Sequence, residues 1–214
     1  MRILITGTSS GIGLASAEKF IKEGHFVTGV DIEKSAISSA LYTHIRADIR
    51  GALPEIPDVE VIISSAGTLE EAEAFDVNLK GTIDFTERYI KSDKLKSVLF
   101  IASASARNGA EFPLYVASKA GLVGYMKNLA LRLSKRGVTV NSISPGGVIT
   151  PANKHILDDE KLYSAVLNET LLGKWAQPEE IADLAYYLTV INRSITGEDL
   201  LIDNGEMLKS NFIW

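Results

Sequence analysis

Tyr115 and Lys119 are the two residues whose types and spacing best suit acid–base chemistry on an oxygen atom. Residues four apart lie on one face of a helix, so the phenol and the ammonium group share one space if this segment is helical. A neighbouring cation favours the phenolate, and lowering a tyrosine pKa by about three units from about 10 corresponds to about 4 kcal/mol. Such a pair can protonate a carbonyl oxygen or deprotonate an alcohol near neutral pH. Because the spacing is common on helices, it needs support from the rest of the chain.

A glycine-rich segment near the N-terminus supplies that support. Gly7, Gly11 and Gly13 lie between a short apolar run and an amphipathic stretch, with the spacing Gly-x-x-x-Gly-x-Gly. Glycines at a strand-to-helix turn let the backbone approach the pyrophosphate of a dinucleotide at the positive end of the helix. Asp31 follows Gly13 by 18 residues, close to the separation of about 20 at which a carboxylate binds ribose hydroxyls. A tight turn without a ligand, and a solvated strand end at Asp31, are the alternatives.

Short aliphatic runs alternate with amphipathic stretches of helix length, and these elements must position the residues above. The pattern predicts strands at Arg2–Thr6, His25–Val30, Tyr42–Arg46, Val59–Ser64, Ser97–Ala102, Thr139–Ser144 and Leu200–Ile202. It predicts helices after the glycine loop and at Glu70–Lys91, Leu114–Lys135, Asp158–Leu171 and Pro178–Leu188. Such alternation is typical of parallel β-α-β units. We therefore expect one doubly wound α/β domain over residues 1–214, with a parallel sheet flanked by helices on both faces.

The composition excludes several classes of protein. A chain of 214 residues, 46% of them hydrophobic, can bury a core without crosslinks. Without cysteine it forms neither a disulfide nor a thiolate metal site. The net charge of −5 disfavours a nucleic-acid partner, and no apolar run is long enough to span a membrane. His25, His44 and His155 lack the spacing of metal ligands. We expect a cytoplasmic protein without a metal ion.

Seven motifs, in order along the chain, resemble those of the short-chain dehydrogenase/reductase family. They are the glycine loop Thr6–Gly13, Asn78 within Phe75–Gly81, Ser103 at the end of a strand, Tyr115 with Lys119, Asn141–Gly146 with Thr150, Trp175–Ala182, and Ile195–Gly197 with Asp203–Gly205. The resemblance covers nearly the whole chain. It implies a Rossmann-type fold that binds a nicotinamide dinucleotide.

The resemblance implies a role for each of four catalytic residues. Tyr115 exchanges a proton with the substrate oxygen, while Lys119 lowers the pKa of the phenol and holds the nicotinamide ribose. Ser103 hydrogen-bonds to the substrate oxygen, although Ser105 competes for this role because only 12 positions separate Ser103 from Tyr115. Asn78 positions a water molecule that links Lys119 to solvent. A polar mid-helix residue at Asn78 and a strand-end hydroxyl at Ser103 are the alternatives.

The resemblance also implies which residues hold the cofactor. NAD(H) is favoured over NADP(H), because Asp31 repels a 2′-phosphate and no Arg or Lys occurs within Thr8–Ile12, although Lys34 weakens this argument. The expected cofactor-binding residues are Gly7, Ser9, Ser10, Gly11, Ile12, Gly13, Asp31, Ile32, Asp48, Ile49, Ser65, Ala66, Gly67, Tyr115, Lys119, Pro145, Gly146, Val148 and Thr150.

The sequence also departs from the family pattern elsewhere. Ser64 and Ser65 replace an Asn pair ahead of Ala66 and Gly67, which puts the side-chain contacts of that pair in doubt. The interval between Asp31 and Asp48, and that between Gly67 and Asn78, are shorter than is usual in the family. We expect shortened helices on one side of the sheet.

The expected function is NAD(H)-dependent interconversion of a secondary alcohol and a ketone. A non-catalytic NAD(H)-binding sensor of the same fold is the alternative, and both Tyr115 and Lys119 count against it. A nucleotide-sugar epimerase or dehydratase of the related extended family also carries such a pair. Those chains need a sizeable C-terminal substrate domain, and only 64 residues follow Thr150.

Two further expectations concern the substrate and the assembly. Residues 151–174 are expected to form a lid over the substrate, and the apolar face of this segment favours a mainly hydrophobic substrate, with ordinary core packing as the alternative. The resemblance implies a homodimer or homotetramer, formed through the helix of Asn78 and the small residues Ala117, Ser118, Ala120, Gly121 and Gly124. The apolar tail Asn211–Trp214 is not expected to be free in solvent.

Overall fold

Seven parallel strands form one sheet in the order β3-β2-β1-β4-β5-β6-β7. The structure, a computed structural model, describes residues 1–209, so the tail Asn211–Trp214 lies outside the described residues. The strands are β1 (Arg2–Thr6), β2 (Phe26–Asp31), β3 (Tyr42–Arg46), β4 (Val61–Ser64), β5 (Ser97–Ile101), β6 (Thr139–Pro145) and β7 (Asp199–Ile202). The sequence pattern predicted all seven, with every end within two residues.

Eight α-helices of the described chain connect these strands. They are α1 (Gly11–Lys22), α2 (Glu71–Ala74), α3 (Thr82–Tyr89), α4 (Ser105–Asn108), α5 (Pro113–Leu133), α6 (Lys154–Leu157), α7 (Glu160–Leu167) and α8 (Pro178–Tyr186). Two π-helical segments, Phe75–Gly81 and Tyr187–Ile191, and three 3-10 turns, Ser134–Arg136, Pro151–Asn153 and Glu206–Leu208, complete them.

The sheet is covered on both faces because its central strands β1, β4 and β5 are apolar and buried along nearly their whole length. On one face Leu4, Ile62 and Phe100 pack against α3 and α5, and on the other Ile5, Ile63 and Ile101 pack against α1 and α8. Burial on both faces explains why the strands read as continuous runs rather than as alternating ones. The expected fold class, a doubly wound parallel sheet flanked by helices, is confirmed.

The connections around β3 are shortened, as expected. Within the described chain, neither residues 32–41 nor residues 47–60 contain a helix. Side chains therefore take over part of the cover on this side: Tyr42 and Ile37 pack against the cluster that contains Phe20 of α1.

Two predicted helices differ from the structure. The helix expected at Glu70–Lys91 is interrupted by the π-helical turns Phe75–Gly81. The helix expected at Asp158–Leu171 is only α7, which begins after the N-cap Asp159 and contains no buried residue. Asp159 ends the preceding turn because its carboxylate accepts hydrogen bonds from the first backbone amides of α7.

Candidate active site

The carboxyl ends of the central strands meet at one edge of the sheet. From β1 the chain runs outward through β2 on one side, and it then returns to place β4 on the other side of β1. Ligands of open α/β sheets bind in the crevice at such a switch point. The glycine loop follows β1, Ser65–Gly67 follow β4, Ser103 follows β5 and Pro145–Thr150 continue from β6.

The glycine loop has a backbone that only glycine adopts readily. Gly7 and Gly11 have φ of 75° and 53°, in the left-handed region. A Cβ on Gly13 would lie 2.0 Å from the carbonyl oxygen of Gly7, so the helix packs directly against the loop. The N-cap residue of α1, Ser10, makes no side-chain cap, and the first turn of α1 contains no acidic residue. The free backbone amides of this turn suit an anionic phosphate group.

Asp31 closes one side of the loop. Its carboxylate accepts hydrogen bonds from the backbone amide of Ser9 and from that of Glu33, both at 2.9 Å. Next to it, Ile32 is 59% exposed, and its carbonyl oxygen accepts a hydrogen bond from Arg46 Nε. Asp31 thus braces the loop while lying at the end of β2, where the ribose was expected.

The segment after β4 is held to β1 by one hydroxyl. Thr6 Oγ1 accepts hydrogen bonds from the backbone amides of Ser65 and Ala66, both at 3.0 Å. These bonds use backbone groups, so the replacement of the usual Asn pair leaves this connection intact. A Cβ on Gly7 would lie 2.9 Å from Ala66 N, which places the two loops side by side.

Asp48 and Ile49 have different environments. The Asp48 carboxylate binds the guanidinium of Arg50 at 2.7 Å, and this hydrogen bonding lowers the pKa of Asp48. Ile49 is 7% exposed and packs within the core. Asp48 therefore presents a polar group to solvent, whereas the Ile49 side chain is part of the core.

Tyr115 and Lys119 lie one turn apart on α5, as the spacing predicted. Lys119 is buried, and its ammonium group donates a hydrogen bond of 2.9 Å to the carbonyl oxygen of Ile101 at the end of β5. The Nζ atom lies 5.7 Å from the centre of the Tyr115 ring. Burial lowers the pKa of Lys119 to about 8, against the opposing influence of Glu111.

The expected lowering of the Tyr115 pKa is wrong for this structure. Burial, reinforced by the negative charge of Glu111, raises the pKa of Tyr115 to about 12, while hydrogen bonding by Ser103 opposes the rise. The physical reason is the burial of the phenol, which Lys119, whose own pKa is lowered, does not offset.

Ser103 and Ser105 are both buried and bonded to each other. Ser105 Oγ lies 2.9 Å from Ser103 Oγ, and the backbone amide of Ser105 donates to Ser103 Oγ at 3.2 Å. Ser103 is the one whose hydroxyl acts on Tyr115.

Asn78 lies within the π-helical turns, a feature often found at functional sites. Its Oδ1 accepts a hydrogen bond from the backbone amide of Thr68 at 2.7 Å, and its Nδ2 donates to the carbonyl oxygen of Thr68 at 2.9 Å and to Ser118 Oγ at 3.3 Å. A Cβ on Gly67 would lie 3.1 Å from Asn78 Oδ1 and 3.5 Å from Lys119 Nζ. Asn78 therefore fixes the loop after β4 next to Lys119.

The segment after β6 reaches the glycine loop at Thr150. Gly147 lies beneath the indole of Trp175, which a Cβ would meet at 2.2 Å, so Trp175 is a packing residue. Val148 is buried and pairs with Ala176. The methyl group of Thr150 lies 3.3 Å from where a Cβ of Gly11 would be, so this segment reaches the glycine loop.

Comparison with known proteins identifies the family. Residues 59–206, more than two thirds of the chain, match the family model described as enoyl-(acyl carrier protein) reductase. The chain belongs to the short-chain dehydrogenase/reductase family. It is 27% identical to the 3-oxoacyl-(acyl-carrier-protein) reductase FabG of Thermotoga maritima, over 94% of this chain and 96% of that protein. It is also 27% identical to the L-rhamnose 1-dehydrogenase (NADP(+)) of Thermoplasma acidophilum, over 96% and 95% of the two chains.

Solved structures of short-chain dehydrogenases share the fold. The aldohexose dehydrogenase of Thermoplasma acidophilum in its ligand-free form superposes with a TM-score of 0.87 at 24% identity, covering 100% of this chain and 96% of that one. A 4-hydroxyisoleucine dehydrogenase complexed with NADH superposes with a TM-score of 0.85 at 26% identity, covering 98% and 99%.

Two acidic residues of this short-chain dehydrogenase/reductase site escaped the sequence analysis. Glu111 precedes α5 with φ of 86°, and its charge acts on both Tyr115 and Lys119. Glu206 Oε2 lies 2.9 Å from where a Cβ of Gly146 would be. The sequence places Glu111 four residues before Tyr115, but this spacing alone does not show that the loop before α5 brings the carboxylate near the phenol.

Across positions 1–209, no group of three or more His, Cys, Asp or Glu side chains could hold a metal ion. In the same part of the chain, every helix is too short or too polar to cross a membrane.

Proposed function

We propose that this protein is an NAD(H)-dependent oxidoreductase that interconverts a secondary alcohol and a ketone. The observation that carries the proposal is the convergence of the Tyr115 phenol, the Ser103 hydroxyl and the buried ammonium of Lys119 at the switch point of the sheet. A bound nicotinamide supplies or accepts the hydride. In the direction of reduction, Tyr115 gives its proton to the carbonyl oxygen, and Ser103 stabilises the charge that develops there.

We propose that the cofactor is held by the residues that the resemblance implied. The backbone amides of Ser10–Gly13 would face the pyrophosphate, Asp31 and Ile32 the adenosine ribose, and Asp48 and Ile49 the adenine. The nicotinamide half would be bounded by Ser65, Ala66, Gly67, Tyr115, Lys119, Pro145, Gly146, Val148 and Thr150. The left-handed Gly7 and Gly11, and the direct contact of Gly13 with Gly7, support this assignment because they leave the backbone open to a ligand.

The preference for NAD(H) over NADP(H) rests on Asp31. A carboxylate at the end of β2 repels a 2′-phosphate, and its two backbone hydrogen bonds keep it in place. The relatives differ in this respect, since the L-rhamnose 1-dehydrogenase is named for NADP(+) and the 4-hydroxyisoleucine dehydrogenase was solved with NADH. Arg46, on the neighbouring strand in register with Asp31, is the cation that could favour the phosphate.

Steady-state kinetics test the preference. We expect a higher kcat/KM with NADH than with NADPH, and a smaller ratio between them for Asp31→Ala. Asp58→Ala, an exposed change away from the loop, is the control and keeps the ratio. A higher kcat/KM with NADPH for the unaltered protein would refute the NAD(H) assignment.

The substrate is proposed only as a class. The lid segment 151–174 offers Leu162, Leu171 and Leu172, which are 41%, 56% and 68% exposed, and this favours a substrate with an apolar body. Protection of the segment from hydrogen exchange should increase when NADH and a reducible ketone are added. Unchanged protection would mean a fixed structural segment. A panel of ketones and alcohols, with NADH absorbance as the readout, identifies the substrate.

We also propose that the protein is a homodimer or homotetramer of the cytoplasm. On α5, Ala117, Ala120 and Gly124 are exposed, so a second copy could approach closely. Gly121 is different, because a Cβ there would meet Leu79 of the same chain at 3.0 Å. Gly124→Arg should reduce the mass measured by analytical ultracentrifugation, and a mass that stays unchanged would place the interface elsewhere.

A further inference from the structure

The two buried serines after β5 are joined by hydrogen bonds that all run in one direction. Ser105 Oγ donates a hydrogen bond of 2.9 Å to Ser103 Oγ, and the backbone amide of Ser105 donates a second one of 3.2 Å to the same oxygen. Ser103 is 7% exposed and Ser105 is 4% exposed. The Ser103 hydroxyl therefore accepts two hydrogen bonds from one residue, which lies two positions further along the chain.

These two bonds determine what Ser103 can still do. A hydroxyl group has two lone pairs and one proton. Because Ser105 occupies both lone pairs, any further hydrogen bond of Ser103 uses its proton, so this hydroxyl can donate but cannot accept. A serine with a free lone pair has no such restriction, since its hydroxyl rotates to suit the partner.

Helix α4, whose first residue is Ser105, is bound to the two neighbouring strands. Directly before the helix, the backbone amide of Ala104 donates a hydrogen bond of 2.8 Å to the carbonyl oxygen of Pro145, at the end of β6. Within the helix, Arg107 Nε donates a hydrogen bond of 2.8 Å to Oδ2 of Asp199, the first residue of β7. Ser105 thus lies between two points at which its segment is attached to the sheet.

The Asp199 carboxylate is a well-fixed partner for Arg107. Its side chain is only 9% exposed, and Oδ1 accepts hydrogen bonds from the hydroxyls of Ser142 and Ser144 at 2.7 and 2.8 Å. Both serines are fully buried on β6. An isolated surface ion pair holds little, but a carboxylate in such a network has one position. The network therefore fixes α4, and with it the two donors of Ser105.

Resting on the proposed function, we propose that Ser105 is a positioning residue that restricts Ser103 to donating a hydrogen bond to the substrate oxygen. In reduction, a donor that is already in place stabilises the negative charge that develops on the carbonyl oxygen. In oxidation, the alcohol must give up its proton. Because Ser103 cannot accept this proton, the proton is left to Tyr115.

A double-mutant cycle tests this role, with NADH as the cofactor and the more active of cyclohexanone and acetophenone as the ketone. We expect Ser103→Ala to lower kcat/KM about hundredfold and Ser105→Ala to lower it about fivefold, each with an unchanged KM for NADH. In the Ser103→Ala background, Ser105→Ala should change kcat/KM by less than about twofold, because the hydroxyl that it positions is gone. The exposed Ser194→Ala is the control and keeps the activity.

The cycle separates positioning from a purely structural role. If Ser105 only stabilised the surrounding fold, its replacement would cost the same factor in both backgrounds, and the proposal would be refuted. A larger loss in Ser105→Ala than in Ser103→Ala would also overturn it, because Ser105 would then be the serine that contacts the substrate.

The oxidation direction gives a second signature. In Ser105→Ala a lone pair of Ser103 is free, so Ser103 can accept the proton of an alcohol in a bound complex that does not react. Such unproductive binding lowers kcat and KM together. Ser105→Ala should therefore lower the KM for the corresponding alcohol but not the KM for the ketone, which only accepts. KM values that change alike in both directions would contradict the restriction.

A measurement without substrate or cofactor tests the serine pair itself. Amide hydrogen exchange of the cofactor-free protein, followed by NMR, reports the bond from the Ser105 amide to Ser103 Oγ. We expect Ser103→Ala to speed exchange of this amide by about tenfold or more, and Ser194→Ala to leave it unchanged. Equal exchange rates in Ser103→Ala and the unaltered protein would refute the bond on which the proposal rests.

The two kinds of measurement also distinguish the proposal from the proposed function. If exchange of the Ser105 amide depends on Ser103 but no ketone is reduced, the proposed function is contradicted and the bonded serine pair stands. If a ketone is reduced but the cycle is additive, the positioning role of Ser105 alone is contradicted.

Discussion

Replacing Lys119 by methionine should stabilise the protein at neutral pH. Lys119 is only 6% exposed, and within the described chain its ammonium group hydrogen-bonds to the carbonyl oxygen of Ile101. Burying a charged group with so little compensation is costly. Methionine has a similar length and volume and carries no charge, so Lys119→Met removes the cost while it removes the catalytic cation.

The size of the effect follows from the pKa of Lys119. Its value of about 8, against 10.5 for an ordinary lysine, corresponds to about 3 kcal/mol. Loss of the hydrogen bond to Ile101 offsets about 1 kcal/mol of this. Lys119→Met should therefore raise the free energy of unfolding by about 2 kcal/mol near pH 7.

The sign of the pH dependence is fixed by the direction of the pKa change. Between pH of about 8 and 10.5 the unfolded chain binds the proton of Lys119 and the folded protein releases it, so the stability of the unaltered protein rises with pH in this window. The advantage of Lys119→Met is complete below about pH 8 and decreases between about pH 8 and 10.5.

Urea denaturation at several pH values measures this directly. Lys127→Met, on the exposed face of the same helix, is the matched control and should show no such window. If the difference between Lys119→Met and the unaltered protein stayed constant from about pH 7 to about pH 10, the buried charge would not be its cause.

Two further changes test the loop and the sheet edge. Gly13→Ala places a Cβ 2.0 Å from the carbonyl oxygen of Gly7, so NADH binding measured by fluorescence should weaken by about tenfold or more. The control is Gly124→Ala, where no atom lies within 4 Å of the added Cβ and NADH should bind normally. Equal NADH affinities of the two variants would contradict the packing argument. Arg107→Ala leaves the Asp199 carboxylate without its guanidinium partner, so the free energy of unfolding should fall by about 1–2 kcal/mol, and an unchanged denaturation midpoint would show that this ion pair is not stabilising.

The architecture could be predicted from the sequence because buried parallel strands leave a strong signal. Strands β1, β4 and β5 are runs of mainly aliphatic residues bounded by turns, so β1 and β5 were located almost to the residue. The glycine loop, Asp31 and the Tyr115–Lys119 pair were found for the same reason, since their chemistry depends on spacing within one or two elements.

The details that the sequence could not predict depend on contacts between distant segments. The π-helical turns around Asn78, and its hydrogen bonds to Thr68 and Ser118, leave no signal in the periodicity of the sequence. The raised pKa of Tyr115 depends on the burial of its phenol and on the charge of Glu111. Glu111 has a left-handed backbone conformation, and a glutamate in the sequence does not predict one.

The connection between β2 and β3 contains no helix, and side chains hold the glycine loop instead. Thr8 Oγ1 shares a hydrogen bond of 2.8 Å with the Tyr42 hydroxyl, which lies 3.0 Å from Nδ1 of His44, and His44 Nε2 lies 2.9 Å from the carbonyl oxygen of Glu33. The line crosses β2 at Gly29, where a Cβ would lie 2.1 Å from the Tyr42 hydroxyl. Because only glycine leaves this space, the glycine within β2 and the tyrosine on β3 act together. Side chains thus connect the glycine loop to the turn after β2. They provide the support that a helix between β2 and β3 would have given.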